Sequence, residues 1–339
     1  MKKTLVAIAA LTLVGAVSAQ SSVTLYGRID AAIGSQKTSV GGNTTVDAGT
    51  QILAGSHTGN RWGMKGSEDL GGGLKAIFQL ENGFNVDTGT AAQGANASFG
   101  RQAYVGLTGG FGSLTVGRQY DLLDIAYGNY DPFGYSGYGA MGYVFNRGTG
   151  GDVIGRQNNS VIYTSPNLGG FSVSGLWAPG EDKNPVAGTS AGNNYGLMAS
   201  YANGPVGVGA AWQSNKVGGV GTRATTNYLV GGSYDLGAAK LYGQFEGTNN
   251  KGANAKDNGW QLGAVIPLGG PSLMVSYASE KTKVAGTKVS DTKALSLMAQ
   301  YPLSKRTYVY AAYLDGVFDP VGAANTKNRN FGLGLVHNF

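Results

Sequence analysis

The chain has 339 residues, with 25 Lys and Arg against 19 Asp and Glu, a formal charge of +6, no cysteine and two histidines. This composition excludes a disulfide framework, leaves little from which to build a metal site, and spreads its positive charge too evenly for a nucleic-acid surface. Glycine accounts for 59 residues and tyrosine for 19, and the glycines interrupt alternating segments instead of forming tracts, as in a large antiparallel β protein.

The first segment, MKKTLVAIAALTLVGAVSAQ, has a basic start at Lys2 and Lys3, an apolar run from Leu5 to Val17, and small residues at Val17-Ser18-Ala19. It reads as a secretory signal over residues 1–19, cleaved after Ala19; the apolar run is too short to span a bilayer. Removing it leaves 23 basic against 19 acidic residues, a charge of +4. The rest, residues 20–339, reads as a single domain. It contains no apolar run long enough for a membrane helix.

Strands follow in series. SVTLYGRIDAAIG places Val23, Leu25, Ile29, Ala31 and Ile33 on one face and Thr24, Tyr26, Arg28 and Asp30 on the other. GLKAIFQLENG sets Leu74, Ala76, Phe78 and Leu80 against Lys75, Gln79 and Glu81. The same period of two recurs around Tyr195–Trp212, Trp260–Tyr277 and Ala294–Leu314. Connections alternate in length. Short ones lie near residues 69–73, 109–113, 166–170, 203–205, 235–238, 267–271 and 302–305. Long ones lie near 35–50, 87–97, 121–155, 179–192, 215–223, 249–257, 281–290 and 316–328. Short turns on one rim and long loops on the other, joining about sixteen strands, form the layout of a transmembrane antiparallel β-barrel. A soluble β-sandwich is the competing architecture, and so many strands without a domain break disfavour it.

The sequence ends on NFGLGLVHNF, where Phe331, Leu333, Leu335, His337 and Phe339 share one parity to the last residue. With an even strand number, both ends of the sheet reach the same rim, so this strand is expected to pair with the one around Val23–Ile33 and close the barrel.

SVTLYGRID, NRWGMKGSEDLGGGLKAIFQLENGF and FGRQAYVGLTGGFGSLTVGRQYD resemble the opening strands of the general porins of Gram-negative outer membranes, and FGLGLVHNF resembles their closing strand. The likeness covers roughly residues 20–339. It implies a homotrimer of sixteen-stranded, water-filled barrels in the outer membrane, surrounded by lipid and lipopolysaccharide. The third long loop is then folded into each pore, and the terminal phenylalanine, Phe339, is read by the barrel assembly machinery. It implies no cofactor.

Periodicity puts Arg28 on a polar face, and Arg61 shares a parity with Lys65, opposite Trp62 and Met64. An arginine facing lipid at mid-membrane costs roughly 2–4 kcal/mol, so both are expected to face water. The resemblance assigns Arg28, Arg61 and Arg101 to a cationic wall at the pore waist, with Arg156 as a further member; ordinary solvated lumen charge is the alternative. Arg101 breaks the pattern, because it shares parity with Ala103, Val105 and Leu107. Arg118 does the same with Leu114 and Val116, and is expected near a contact between subunits. The third loop, residues 121–155, carries Asp121, Asp124 and Asp131 among several tyrosines. Its DPFG resembles the tip of a constriction loop, which puts Asp131, and also Asp124, opposite the arginines; turn capping is the other use of such aspartates. Arginines facing carboxylates would set up a field across the gap.

No serine with a positioned base, no metal-ligand cluster and no P-loop is visible, so an enzyme is not expected. The expected function is passive passage of small hydrophilic solutes and inorganic ions, with an anion preference. A saturable substrate-selective channel and a surface adhesin or receptor barrel are the alternatives.

Overall fold

The computed structural model describes residues 21–94, 97–145, 155–181, 189–190, 192–216, 219–220 and 224–339. The expected signal, residues 1–19, lies outside the described residues. In chain order the strands are β1 Ser22–Val40, β2 Asn43–Ala54, β3 Arg61–Gly71, β4 Leu74–Gly83, β5 Gln102–Gly109 and β6 Gly112–Tyr120. Two helices follow, α1 Leu122–Asn129 and α2 Ala140–Phe145. Then come β7 Arg156–Thr164, β8 Phe171–Ala178, the short β9 Thr189–Ser190, β10 Asn194–Asn203, β11 Val206–Asn215 and the short β12 Gly219–Val220. The last strands are β13 Thr225–Asp235, β14 Lys240–Asn250, β15 Ala255–Pro267, β16 Ser272–Val284, β17 Thr287–Pro302, β18 Thr307–Pro320 and β19 Thr326–Asn338.

Every neighbouring pair in the main sheet is antiparallel, and β1 pairs with β19 from Arg28↔Asn338 to Val40↔Thr326, so the sheet is a closed barrel. β1 pairs with β3 through its first residues and with β2 through its later ones. β2 and β3 are therefore two segments of one wall strand, broken at residues 55–60, and the wall has sixteen strands. β9 and β12 pair only with each other, outside the wall.

The distribution of polarity is the reverse of a soluble protein. Val23 and Leu25 are 65% and 61% exposed on the outer face, in company with Leu197, Val230, Leu262 and Leu333, while Gln213, Gln261, Ser276 and Ser296 are buried inside. An apolar surface on this scale has to be covered by lipid or by another subunit. The buried apolar cluster is not a core between two layers. It is built from loop residues such as Leu123, Tyr127, Tyr130, Phe133, Tyr138 and Met141 packed inside the barrel against wall residues such as Leu229 and Leu314.

Four of the long connections expected from sequence are strand instead. β1 and β2 meet at Gly41-Gly42, both at positive φ, and β16 and β17 meet at Ala285-Gly286, again both at positive φ. These are the tight two-residue turns of extended hairpins. The expected loops near 249–257 and 316–328 shrink in the same way to residues 251–254 and 321–325. Where these hairpins rise above the bilayer neither face meets lipid, so the apolar alternation that marks a strand disappears and the segment reads as loop. β17 has 16 residues, against the roughly 9–11 that cross a membrane.

Candidate functional site

The first six strands of the wall bring the arginines to one height. Arg28 of β1 stands directly opposite Arg61 of β3 in the ladder, Arg61 opposite Gly83 of β4, and Tyr120 of β6 opposite Arg156 of β7. Two like charges placed opposite each other destabilise a sheet; Arg28 and Arg61 are each held by neutral acceptors. Arg28 donates from Nε to Asn338 Oδ1 at 2.6 Å and from Nη1 to Thr58 Oγ1 at 2.7 Å. Arg61 donates from Nε to the Gly59 carbonyl at 3.0 Å and from Nη2 to Thr58 Oγ1 at 3.3 Å. Arg156 donates to the Tyr120 hydroxyl at 2.6 Å and lies 4.2 Å from the centre of that ring. Arg101 donates to the same hydroxyl and, from Nε, to Glu81 Oε1 at 2.6 Å. Among the described residues, that is the one carboxylate within ion-pair distance of the four.

The inward turn of Arg101 corrects the parity conflict in its strand. Val105 and Leu107 do face outward, but Arg101 precedes the ladder of β5, and its N–H reaches the Glu81 carbonyl at 3.1 Å. Being outside the regular alternation, its side chain is free to turn in. Arg118 keeps the outward parity of Leu114 and Val116, and does not line the cavity. The ladder slips between Gly117 and Gln119, and Arg118 donates to the Gly100 carbonyl at 2.8 Å and to Asn158 Oδ1 at 2.5 Å.

Facing the arginines is the third loop. Asp121 caps α1 by accepting from the Asp124 N–H at 2.7 Å, and Gln213 Nε2 donates to Asp121 Oδ2 at 3.2 Å. The Tyr127 hydroxyl donates to Glu246 across the barrel. The loop's rings lie on bare stretches of wall. A methyl carbon added at Gly231 would stand 2.5 Å from the Tyr130 ring, at Gly316 2.3 Å from Tyr143, and at Gly259 2.5 Å from Phe145. Those glycines are sockets that admit the loop.

Between wall and loop lies a cavity of about 660 Å³ lined by Arg28, Arg61, Arg101 and Arg156 on one side and by Asp124, Phe133 and Tyr135 on the other. Asp131 does not take the place expected for it. It is 3% exposed, accepts from the Tyr135 N–H at 2.8 Å and from Gln261 Nε2 at 2.7 Å, and so ties the loop tip to β15. Turn capping, the other use of such an aspartate, is the one observed. Asp30 is likewise absorbed, accepting from the N–H groups of His57 and Thr58 and from the Tyr310 hydroxyl, each at 2.8 Å. Burial, with Asp121 close by, pushes the Asp124 carboxyl up to about 7 against the pull of Arg156 and Arg101.

Two members of the site escaped the reading of the sequence. Alternation places Glu81 on a polar face without marking it as part of the site, and Tyr120, which joins Arg101 to Arg156, carries no sequence signal beyond its place two residues after Arg118 at the end of a strand.

A closed barrel with an apolar exterior, a polar lumen and a charged narrowing formed by an inward loop defines an outer-membrane diffusion channel. The chain belongs to the Gram-negative porin family, whose profile matches residues 4–317. It is 37% identical over 319 residues to the outer membrane porin protein 32 of Delftia acidovorans, covering 91% of this chain and 88% of that protein. It is 33% identical to an outer membrane porin of Bordetella pertussis over the full length of both. Among solved structures it is similar to the anion-selective porin from Comamonas acidovorans, with a TM-score of 0.80 and 30% identity over 94% of this chain and 100% of that one.

Proposed function

We propose that the channel passes small hydrophilic solutes and inorganic ions down their gradients and favours anions. The observation that supports this is the charge imbalance of the cavity. Four arginines line it; Arg101 and the nearby Glu81 carboxylate neutralise each other, which leaves Arg28, Arg61 and Arg156 against Asp124. At physiological salt the screening length is about 8 Å, so charges lining a narrow gap act on a passing ion while those on distant rims do not. The solved relative described as anion-selective supports the same reading. The test is the zero-current potential of the purified channel in a salt gradient. The expected result favours chloride over potassium, and less so as total salt rises; a clear cation preference overturns it.

In the same reading the chain acts as a homotrimer in outer-membrane lipid and lipopolysaccharide, with Arg118 near a subunit contact. Phe339 serves the barrel assembly machinery, residues 1–19 are removed on export, and the protein has no catalytic role. The pairing of Arg118 with Asn158 on an otherwise apolar outer face supports the contact, because polar groups there need cover from lipid.

A further inference from the structure

The break between β2 and β3 is a feature of the wall that the barrel itself does not require. Its six residues, GSHTGN at 55–60, leave the ladder, and Gly55, His57, Thr58 and Gly59 line the cavity beside the arginines. Gly55 turns the chain out of the strand at φ 63°, a conformation that glycine adopts without strain. One residue of β1 then clamps the excursion with every polar atom it has. The Asp30 N–H donates to Asn60 Oδ1, and its carbonyl accepts from the Gly55 N–H at 2.9 Å. Its Oδ2 accepts from the N–H groups of His57 and Thr58, and its Oδ1 from the Tyr310 hydroxyl, each at 2.8 Å. Thr58 is therefore held in the lumen by its own backbone.

The Thr58 hydroxyl is the acceptor shared by two cations. Arg28 Nη1 donates to its oxygen at 2.7 Å and Arg61 Nη2 at 3.3 Å, and these two arginines stand directly opposite each other in the ladder. Like charges so placed repel, and long side chains have the rotamer freedom to part. The shared oxygen works against that separation. Each guanidinium has one further hold, on Asn338 Oδ1 for Arg28 and on the Gly59 carbonyl for Arg61. Among the described residues, Arg28 Nη2, Arg61 Nη1 and the Thr58 hydroxyl proton meet no acceptor. A hydroxyl whose lone pairs are both taken by charged donors is polarised, and donates more strongly in turn. All three free donors belong to residues that line the cavity.

We propose that Thr58 is a specificity-determining residue of the channel. It holds Arg28 and Arg61 side by side at the gap and presents its own hydroxyl proton to the anion that passes them. The residue carries no charge, yet the ion preference depends on it, because it fixes where two charges stand. The inference rests on the anion-favouring reading of the cavity and assigns part of that preference to a neutral side chain.

The experiment measures zero-current potentials of the purified full-length channel in a potassium chloride gradient. Thr58→Val keeps the shape of the side chain, removes the hydroxyl and changes no charge. The chloride-to-potassium permeability ratio is expected to fall about twofold or more, and Thr58→Ser is expected to keep the wild-type ratio. In an Arg61→Gln background there is no pair left to hold, so adding Thr58→Val is expected to shift the ratio much less than it does in the wild type. An unchanged ratio in Thr58→Val, or a Thr58→Ser channel that behaves like Thr58→Val, overturns the inference. An equal shift in the Arg61→Gln background also overturns it, since the effect then belongs to the shape of the 55–60 segment. If Thr58→Val gives no folded barrel on heat-modifiable gel mobility, Thr58→Ala against Thr58→Ser decides in the same way. A wild type without anion preference overturns the reading of the function; the shift toward cations in Thr58→Val, still expected, then decides this inference separately.

Discussion

Gly27 and Phe339 close the barrel. The Gly27 N–H donates to the Phe339 carbonyl at 3.0 Å and the Phe339 N–H donates to the Gly27 carbonyl at 3.1 Å. The ring of Phe339 lies on Gly27 so closely that a methyl carbon there would stand 2.2 Å from its tip. The seam therefore depends on a ring at one strand end and a missing side chain at the other. Phe339→Ser keeps both backbone bonds and removes the ring. Expected is a several-fold fall in folded, membrane-inserted protein with unchanged conductance in each channel that does insert. Gly27→Leu, which displaces the ring, should reproduce the loss. Normal yield of both variants on heat-modifiable gel mobility would remove Phe339 from assembly.

Arg61 and Arg101 make different predictions although both line the same gap. Arg61 contacts only neutral acceptors, so Arg61→Ser subtracts one positive charge. Arg101 is paired to Glu81, so Arg101→Ser also releases a carboxylate, and buried charges left without a partner act strongly. Zero-current potentials should move toward cations in both, and further in Arg101→Ser. In Arg101→Ser with Glu81→Gln both members of the ion pair are gone and the net charge of the lining is unchanged, so the potential should return close to the wild-type value. An Arg101 variant indistinguishable from wild type would remove this residue from the ion path.

The ion preference should depend on pH through Asp124. Its carboxyl is raised to about 7. It is neutral below that pH and ionised above it, so the lining becomes more positive as pH falls through 7 and less positive as pH rises. Anion preference should therefore be greater at pH 6 than at pH 8. Asp121 beside it and the facing Arg156 and Arg101 are the charged groups that set this value. Asp124→Asn should flatten the profile and hold the channel at its low-pH preference. A wild-type profile that is flat from pH 6 to pH 8 would mean that another charge dominates.

The wall of this protein could be read from its sequence because its physics is local. The period of two, the short turns at one rim and the parity of Phe331 through Phe339 all follow from which side chains meet lipid. Arg28 and Arg61 were legible for the same reason, since each lies on the face of its strand opposite the apolar residues that meet lipid. Arg101 was not, because it lies one residue outside the ladder, where parity has no hold. Asp131 was not, because the direction of a loop carboxylate is decided by the loop's own turns and by Gln261, 130 residues away. The glycines were visible as composition, but their use as sockets for Tyr130 and Phe145 depends on which strands the loop crosses. The upper parts of β1, β2 and β17 were hidden by the absence of lipid.

The third loop is held inside by contacts that can be broken singly, and this makes its role testable. Tyr130 lies on Gly231, Asp131 is bound by Gln261, and Tyr127 is bound by Glu246. Gly231→Leu places a side chain where the Tyr130 ring now sits, and Gln261→Leu removes the donor to Asp131; together they release the loop tip from β13 and β15. The wall ladder uses backbone groups at both positions and should survive, leaving barrel stability in detergent close to wild type. Single-channel conductance should rise, and larger uncharged sugars should enter in liposome swelling. Deleting residues 132–138 should go further in the same direction, because it removes Phe133 and Tyr135 from the cavity lining. The anion preference should weaken in parallel, since a wider gap puts the arginines beyond the screening length of about 8 Å from a passing ion. Intact barrels with unchanged conductance in both variants would place the narrowest part of the path elsewhere and detach the third loop from permeation.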